Sequence, residues 1–311
     1  MSTATIGLAA GAARVDLLLA AGGAIASFAW RGDDVLRPMP VDARAAPDVR
    51  RSSSYPLVPY SNRIRDAQLA FGGRTHPLSR NFGDHPHAIH GVGWQRAWLV
   101  ERATATTAVI AVEHAARGDD ARAWPWPFRA MQAFDLSADA KTATLVCTLT
   151  IANTGDTAFP FGLGWHPFFP RDPGATLTFD ARDVWRNDAT QLPIERVPAS
   201  GAWSFAAPRE PGTDTIDNVF GGWKGVAMIH SPARGRTTTI AADRACDRLV
   251  VYAPAKRDFI AIEPVTHETD AFNRAAAGDV DTGMRVLAPG AAFSCTMRIA
   301  VADAATLASA T

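Results

Sequence analysis

From Thr142 to Ala152 the chain alternates. Thr142, Thr144, Val146, Thr148, Thr150 and Ala152 fall on one parity, and Ala143, Leu145, Cys147, Leu149 and Ile151 on the other. A period of two belongs to a strand with one buried face. Similar runs occupy Ala13–Ala20 and Ala24–Trp30 around Gly22-Gly23, and Gln68–Phe71 and Arg74–Leu78 around Gly72-Gly73. Others follow at Ala97–Arg102, Thr106–His114, Ala130–Leu136, Thr176–Phe179, Gly225–His230, Thr237–Ala241, Arg248–Ala253, Phe259–Glu263 and Phe293–Val301. Turn signals recur about every ten residues, the spacing of an all-β chain. A helical period shows only weakly, at Ala304–Ala310. Residues 38–60, rich in Pro, Ser and Arg, read as loop. The aromatic stretch Trp124-Pro125-Trp126-Pro127-Phe128 cannot lie inside a helix, because each Pro lacks a donor and restricts the residue before it. The expectation is a single, mostly antiparallel all-β domain over residues 1–311, a sandwich of long sheets with its core at about 13–301.

Charge and cysteine content narrow the function. Lys plus Arg and Asp plus Glu both number 31 in a chain of 311 residues. A balanced charge gives no reason to expect nucleic acid or an anionic membrane as partner. No run of about 18 apolar residues is present, so no membrane span is expected. Cys147, Cys246 and Cys295 are odd in number and far apart. That disfavours a disulfide framework or a structural zinc site and suits a reducing cytoplasm. The apolar N-terminus lacks a positive leading region, and a β-hairpin reads better than a signal peptide.

Three stretches hold candidate chemistry. Asn81–Trp98 places His85, His87 and His90 among Gly83, Pro86, Gly91 and Gly93, residues that disfavour a helix and put the rings on a loop or strand edge. His85-x-His87 would set two rings on one side of a strand, as metal binding needs, but no carboxylate follows closely, so no metal site is expected. Gly91 after His90 would let the backbone approach a ligand. In Phe161–Pro170, Pro167 ends strand pairing and leaves His166 at a strand end among aromatic rings. In Phe259–Asn273, alternation sets Ala261 and Glu263 on one face, and Pro264 is expected to stop the strand with Glu263 at its mouth. Asp217-Asn218-Val219-Phe220 reads as a turn carrying an acid.

Taken in order, Asn62-Arg63-Ile64, His90-Gly91, Trp165-His166-Pro167-Phe168-Phe169, Asp217-Asn218-Val219-Phe220 and Ile262-Glu263-Pro264 with Asp270-Ala271-Phe272-Asn273 resemble the motifs of the aldose 1-epimerases, the galactose mutarotases. The resemblance implies a large antiparallel β supersandwich with one open cleft, acting on a free aldose without metal or organic cofactor. It implies Glu263 as general base, His166 as general acid and His90 as the histidine that holds the sugar. Arg63, Asp217 and Asn62 would bind sugar hydroxyls. Trp165, with Phe168, Trp94 and Trp223, would offer stacking surface. The small-molecule sugar would be the partner, and the protein a monomer or homodimer. The histidine motif Gly164-Trp165-His166-Pro167 departs from the family's best-known form, which leaves the sugar open. A sugar-binding protein without activity, or an epimerase of hexose 6-phosphates using Arg80 and Arg96, are the alternatives.

Overall fold

The computed structural model describes residues 5–45 and 48–304, so Ala304–Ala310 lies, but for its first residue, outside them. Among the described residues, α-helix is confined to Val41–Ala45, Asp119–Ala123 and Ala271–Ala276. Strands dominate, and every ladder between named strands is antiparallel. One eight-stranded sheet runs in the order Leu99–Ala103, Thr107–His114, Phe128–Ala138, Thr142–Asn153, Ala292–Asp303, Arg236–Ala242, Val226–Ser231, Thr176–Phe179. Its central strand Thr142–Asn153 buries Ala143, Leu145, Cys147, Leu149 and Ile151, the parity that the alternation assigned to the core.

The second eight-stranded sheet carries the site. Its order is Pro193–Pro198, Asp183–Asn187, Ile216–Gly221, Arg248–Ala253, Phe259–Val265, Gly164–Trp165, Pro56–Leu57, with Phe168–Pro170 also paired to Phe259–Val265. Both faces of this sheet are covered, which is why Phe259–Val265 is buried throughout. On one face Leu249, Val251, Ile260, Ile262 and Trp165 join a large apolar cluster that also contains the inward residues of the first sheet. That shared cluster is the filling of the sandwich. On the other face Leu57, Phe168, Val250, Phe259 and Ala261 form a second, smaller cluster with Tyr55 and Trp94.

Three local expectations need correction. Phe259–Val265 runs on through Pro264. The N–H of Ile262 bonds Pro167 O and that of Thr266 bonds Leu163 O, so the neighbouring chain is held on either side of Pro264, and the strand crosses Pro264, opposite Trp165, with one ladder donor missing. Asp217 lies within the strand Ile216–Gly221 and not in a turn. Residues 38–60 are not all loop: they hold the short helix, a 3-10 turn at Val49–Arg51 and the strand Pro56–Leu57.

Candidate active site

Sheet register assembles the site. Gly164 pairs with Val265 and Phe168 with Ala261, so continuing that register sets His166 opposite Glu263. On the far side, Val250 pairs with Glu263. The N–H of His166 bonds Tyr55 O. Tyr55, His166, Glu263 and Val250 thus form one row across the sheet. In the next row Asp217 pairs with Tyr252 and Tyr252 with Ala261, beside Phe168. Side chains two residues apart share a face, so both rows point into one cleft of about 290 Å³.

At its floor, Nε2 of His166 and Oε1 of Glu263 are 3.1 Å apart, and both side chains are almost wholly buried. The His166 ring packs against Tyr55, at 4.8 Å, and Phe168, at 4.4 Å, two rings that are themselves 6.2 Å apart. Loss of water disfavours charge. Burial raises the Glu263 carboxyl well above its usual range; nearby Asp217 adds to this and Arg63 opposes it. Burial pushes His166 down to about 3, with Arg37 and Arg63 contributing in the same direction. Both groups are driven toward neutrality, so the pair holds a single proton between them over a broad pH range.

His90 is positioned by its own backbone. Its N–H bonds Asn62 O at 2.9 Å, and the N–H of Asn62 donates to His90 Nδ1 at 3.0 Å. Both residues take left-handed φ, 57° for Asn62 and 63° for His90. Such backbone conformations are uncommon outside glycine and are held by their surroundings. An accepting Nδ1 leaves the hydrogen of a neutral imidazole on Nε2. The ring stands nearly perpendicular to His166 at 5.4 Å. Burial first, then His166 and Arg63, hold its pKa well below the usual value.

Arg63 closes the opposite side. It donates from Nη1 to Asn62 Oδ1 at 2.9 Å and from Nη2 to Asp217 Oδ2 at 3.0 Å. Its Nε is buried without a hydrogen-bond partner among the described residues. Glu263, His166, His90, Asn62, Arg63 and Asp217 therefore line the same cleft.

Trp165 does not. Alternation turns it away from His166 into the sandwich core, where it is 1% exposed. Trp223 is buried elsewhere in that core, and Trp94 lies behind Tyr55. Of the four proposed stacking residues only Phe168 lines the cleft. Gly91 packs against the Val58 carbonyl and not against ligand space. His85 reaches the cleft, whereas His87 is buried with Nδ1 accepting from the Asp66 N–H. No group of three potential metal ligands occurs among the described residues. Arg96 pairs with Asp120 at 2.5 Å, and neither it nor Arg80 lines the cleft. Residues the motifs did not indicate are Tyr55, Tyr252, Phe259, Arg37 and Arg257. Tyr55 and Arg37 lie in or next to the stretch taken as loop, where no periodicity marks a strand.

A family model described as Aldose 1-epimerase matches residues 5–300. The uncharacterized protein YphB of Escherichia coli K12 is 31% identical over 292 residues, covering 90% of this chain and 93% of that protein. Among solved structures, a galactose mutarotase-like protein of Clostridium acetobutylicum superposes with a TM-score of 0.84 at 18% identity, covering 96% of this chain and 95% of that one. The galactose 1-epimerase of Lactobacillus acidophilus NCFM gives 0.76 at 18% identity, covering 96% and 93%.

Proposed function

Because the chain belongs to the aldose 1-epimerase family, we propose that it interconverts the α and β anomers of an aldose by acid–base opening and reclosure of the sugar ring. The observation that carries this reading is the Glu263–His166 pair, buried at the cleft floor with 3.1 Å between carboxylate oxygen and imidazole nitrogen. Mutarotation takes one proton from the anomeric hydroxyl and gives one to the ring oxygen of the same hemiacetal. A pair that carries one proton supports this chemistry without a change in total charge.

At rest the shared proton is on Glu263; its transfer to His166 prepares the pair, and Glu263 then removes the hydrogen of the anomeric hydroxyl. The O–H electrons form the carbonyl, the bond from C1 to the ring oxygen breaks, and its electrons take the proton from His166. The pair now holds its proton on Glu263. Rotation about C1–C2 turns the other carbonyl face to the ring oxygen, and the reverse transfers close the ring to the opposite anomer. His90, its hydrogen held on Nε2, donates to the oxygen on which charge accumulates. Arg63 and Asp217 orient sugar hydroxyls, their own hydrogen bond fixing both.

Polarimetry tests the reading. Freshly dissolved α-anomers of glucose, galactose, xylose, arabinose and fucose should reach equilibrium rotation faster with wild-type protein and not with Glu263→Gln. Sugar binding without acceleration of any anomer would overturn it in favour of a binding protein.

A further inference from the structure

One histidine of the Asn81–Trp98 stretch reaches the cleft without a part in the proposed ring opening. His85 lines the cleft, half-buried. Pro86 follows it and confines its backbone to extended conformations. Its N–H bonds Phe82 O at 3.1 Å. Its Nδ1 accepts the N–H of His87, two residues on, at 3.3 Å. The ring meets Phe82 edge-on at 6.4 Å and His87 at 5.2 Å. His87 is itself buried, its Nδ1 accepting from the Asp66 N–H. The imidazole of His85 is thus fixed by its own turn before any ligand arrives.

A neutral imidazole with an accepting Nδ1 carries its hydrogen on Nε2. Burial first, then Arg63 and His87, hold the His85 pKa below the usual value, against Asp217. Its Nε2, on the far side of the ring from the turn, makes no hydrogen bond among the described residues. Within the cleft the charged residues that His85 senses are Arg63 and Asp217, themselves joined at 3.0 Å. Asp217 lies two strands from Glu263, across Arg248–Ala253. Two strand spacings come to roughly 10 Å, close to the breadth of a pyranose with its hydroxyls. In such a ring the edge C3–C4 lies opposite the edge from the ring oxygen to C1. With the second edge on His166 and Glu263, the first points along the sheet to Asp217, Arg63 and His85.

We propose that His85 is a specificity-determining residue of the sugar site, its Nε2–H donating to the 3- or 4-hydroxyl of the aldose beside the Arg63–Asp217 pair. The orientation of the sugar rests on the epimerase reading of Glu263 and His166. A fixed donor discriminates by direction. Axial and equatorial hydroxyls on one carbon point apart, so His85 favours one of the two epimers at that carbon. A sugar lacking the hydroxyl is rejected as well, because the donor is then covered and left unpaired.

Two substitutions separate a sugar contact from a loop role. In His85→Asn the side-chain oxygen can accept the same N–H two residues on and keep the turn, but it falls short of the Nε2 position. In His85→Gln an amide N–H reaches that position and the turn bond is given up. Polarimetry gives kcat/KM for glucose, galactose and the 2-, 3- and 4-deoxy forms of whichever is the better substrate. His85→Asn should lower kcat/KM for the parent sugar about 3–10-fold, the worth of one neutral hydrogen bond. The loss should persist with the 2-deoxy sugar and vanish with either the 3-deoxy or the 4-deoxy sugar, a cycle in which the missing hydroxyl is the second mutation. His85→Gln should recover part of it. An equal loss with every deoxy sugar overturns the proposal, and so does a loss cancelled only in the 2-deoxy sugar. So does His85→Asn at wild-type efficiency, or His85→Gln poorer than His85→Asn, which would make His85 a turn former only. The same ratios are measured as dissociation constants by calorimetry on Glu263→Gln, which judges the contact apart from turnover. A cycle that closes in binding, with a wild-type protein that accelerates no anomer, would leave the contact standing and remove the epimerase reading. Sugars that neither bind nor react would overturn both.

Discussion

Glu263, on the strand Phe259–Val265, and His166, between the short strands Gly164–Trp165 and Phe168–Pro170, face each other in antiparallel register, with Oε1 3.1 Å from Nε2. Neither residue depends on a long loop for its position. The distance between the two groups is set by strand spacing, which varies little from one sheet to another.

Removing either member should leave the fold intact and most of the rate lost. Glu263→Gln and His166→Ala are each expected to reduce kcat by about 10²–10⁴-fold, the usual worth of one general acid or base. Polarimetry checks the rate and circular dichroism the fold. Near-normal rates in either variant would remove that residue from the mechanism.

The pH–rate profile should be broad. As pH falls, the pair takes up a second proton and the base is lost; burial has pushed His166 down to about 3, so this limb lies below the ordinary imidazole range. As pH rises, the pair loses its only proton and the acid is lost; burial has raised Glu263, so this limb lies above the ordinary carboxylate range. The two limbs belong to the pair and not to single residues. Arg63→Met removes the cation that opposes the rise at Glu263, and should move the alkaline limb of kcat/KM upward. An unmoved limb would show that Arg63 does not sense the carboxylate.

Stability should carry the same signature. Native Glu263 keeps its proton to higher pH than the unfolded chain does. Between those two values the native state binds more protons, so this residue lowers stability as pH rises. Glu263→Gln removes that loss. Its melting temperature should match wild type near pH 4 and exceed it increasingly toward neutral pH. Equal melting temperatures across the range would mean the native carboxyl is not raised.

Gly91→Ala should destabilise the protein by about 2 kcal/mol or more, since left-handed strain alone costs on the order of 1–3 kcal/mol. Gly91 has φ 71°, and an added Cβ would fall 2.2 Å from the Val58 carbonyl oxygen. His90 is the preceding residue, so a lowered kcat should accompany the loss. Denaturant unfolding and polarimetry measure the two effects.

The strands and most residues of the candidate cleft were legible in the sequence for a physical reason. Thr142–Asn153 has one dry face, and alternation records that directly. Phe259–Val265 is dry on both faces and records less, which is why its extent past Pro264 was missed. His166, Glu263, His90 and Arg63 could be named from short motifs in order, whereas Trp165 could not be placed without knowing which parity faced the cleft. Tyr55 and Arg37 gave no signal at all. Tyr55 owes its place to the His166 strand beside it, and Arg37 to two phenylalanine rings, neither close to it in sequence.

The packing of His166 against Tyr55 and Phe168 bears on which atoms would move in the proposed ring opening. An imidazole packed against two aromatic rings, with its backbone N–H held by Tyr55 O, has little room to swing after a departing oxygen. If His166 is stationary, the ring oxygen it serves must return along the line by which it left. The anomeric carbon then has to do the turning: the newly formed aldehyde pivots while the rest of the sugar stays moored. On this view inversion at C1 is a motion of three atoms, the carbonyl carbon, its oxygen and its hydrogen, inside an otherwise still complex.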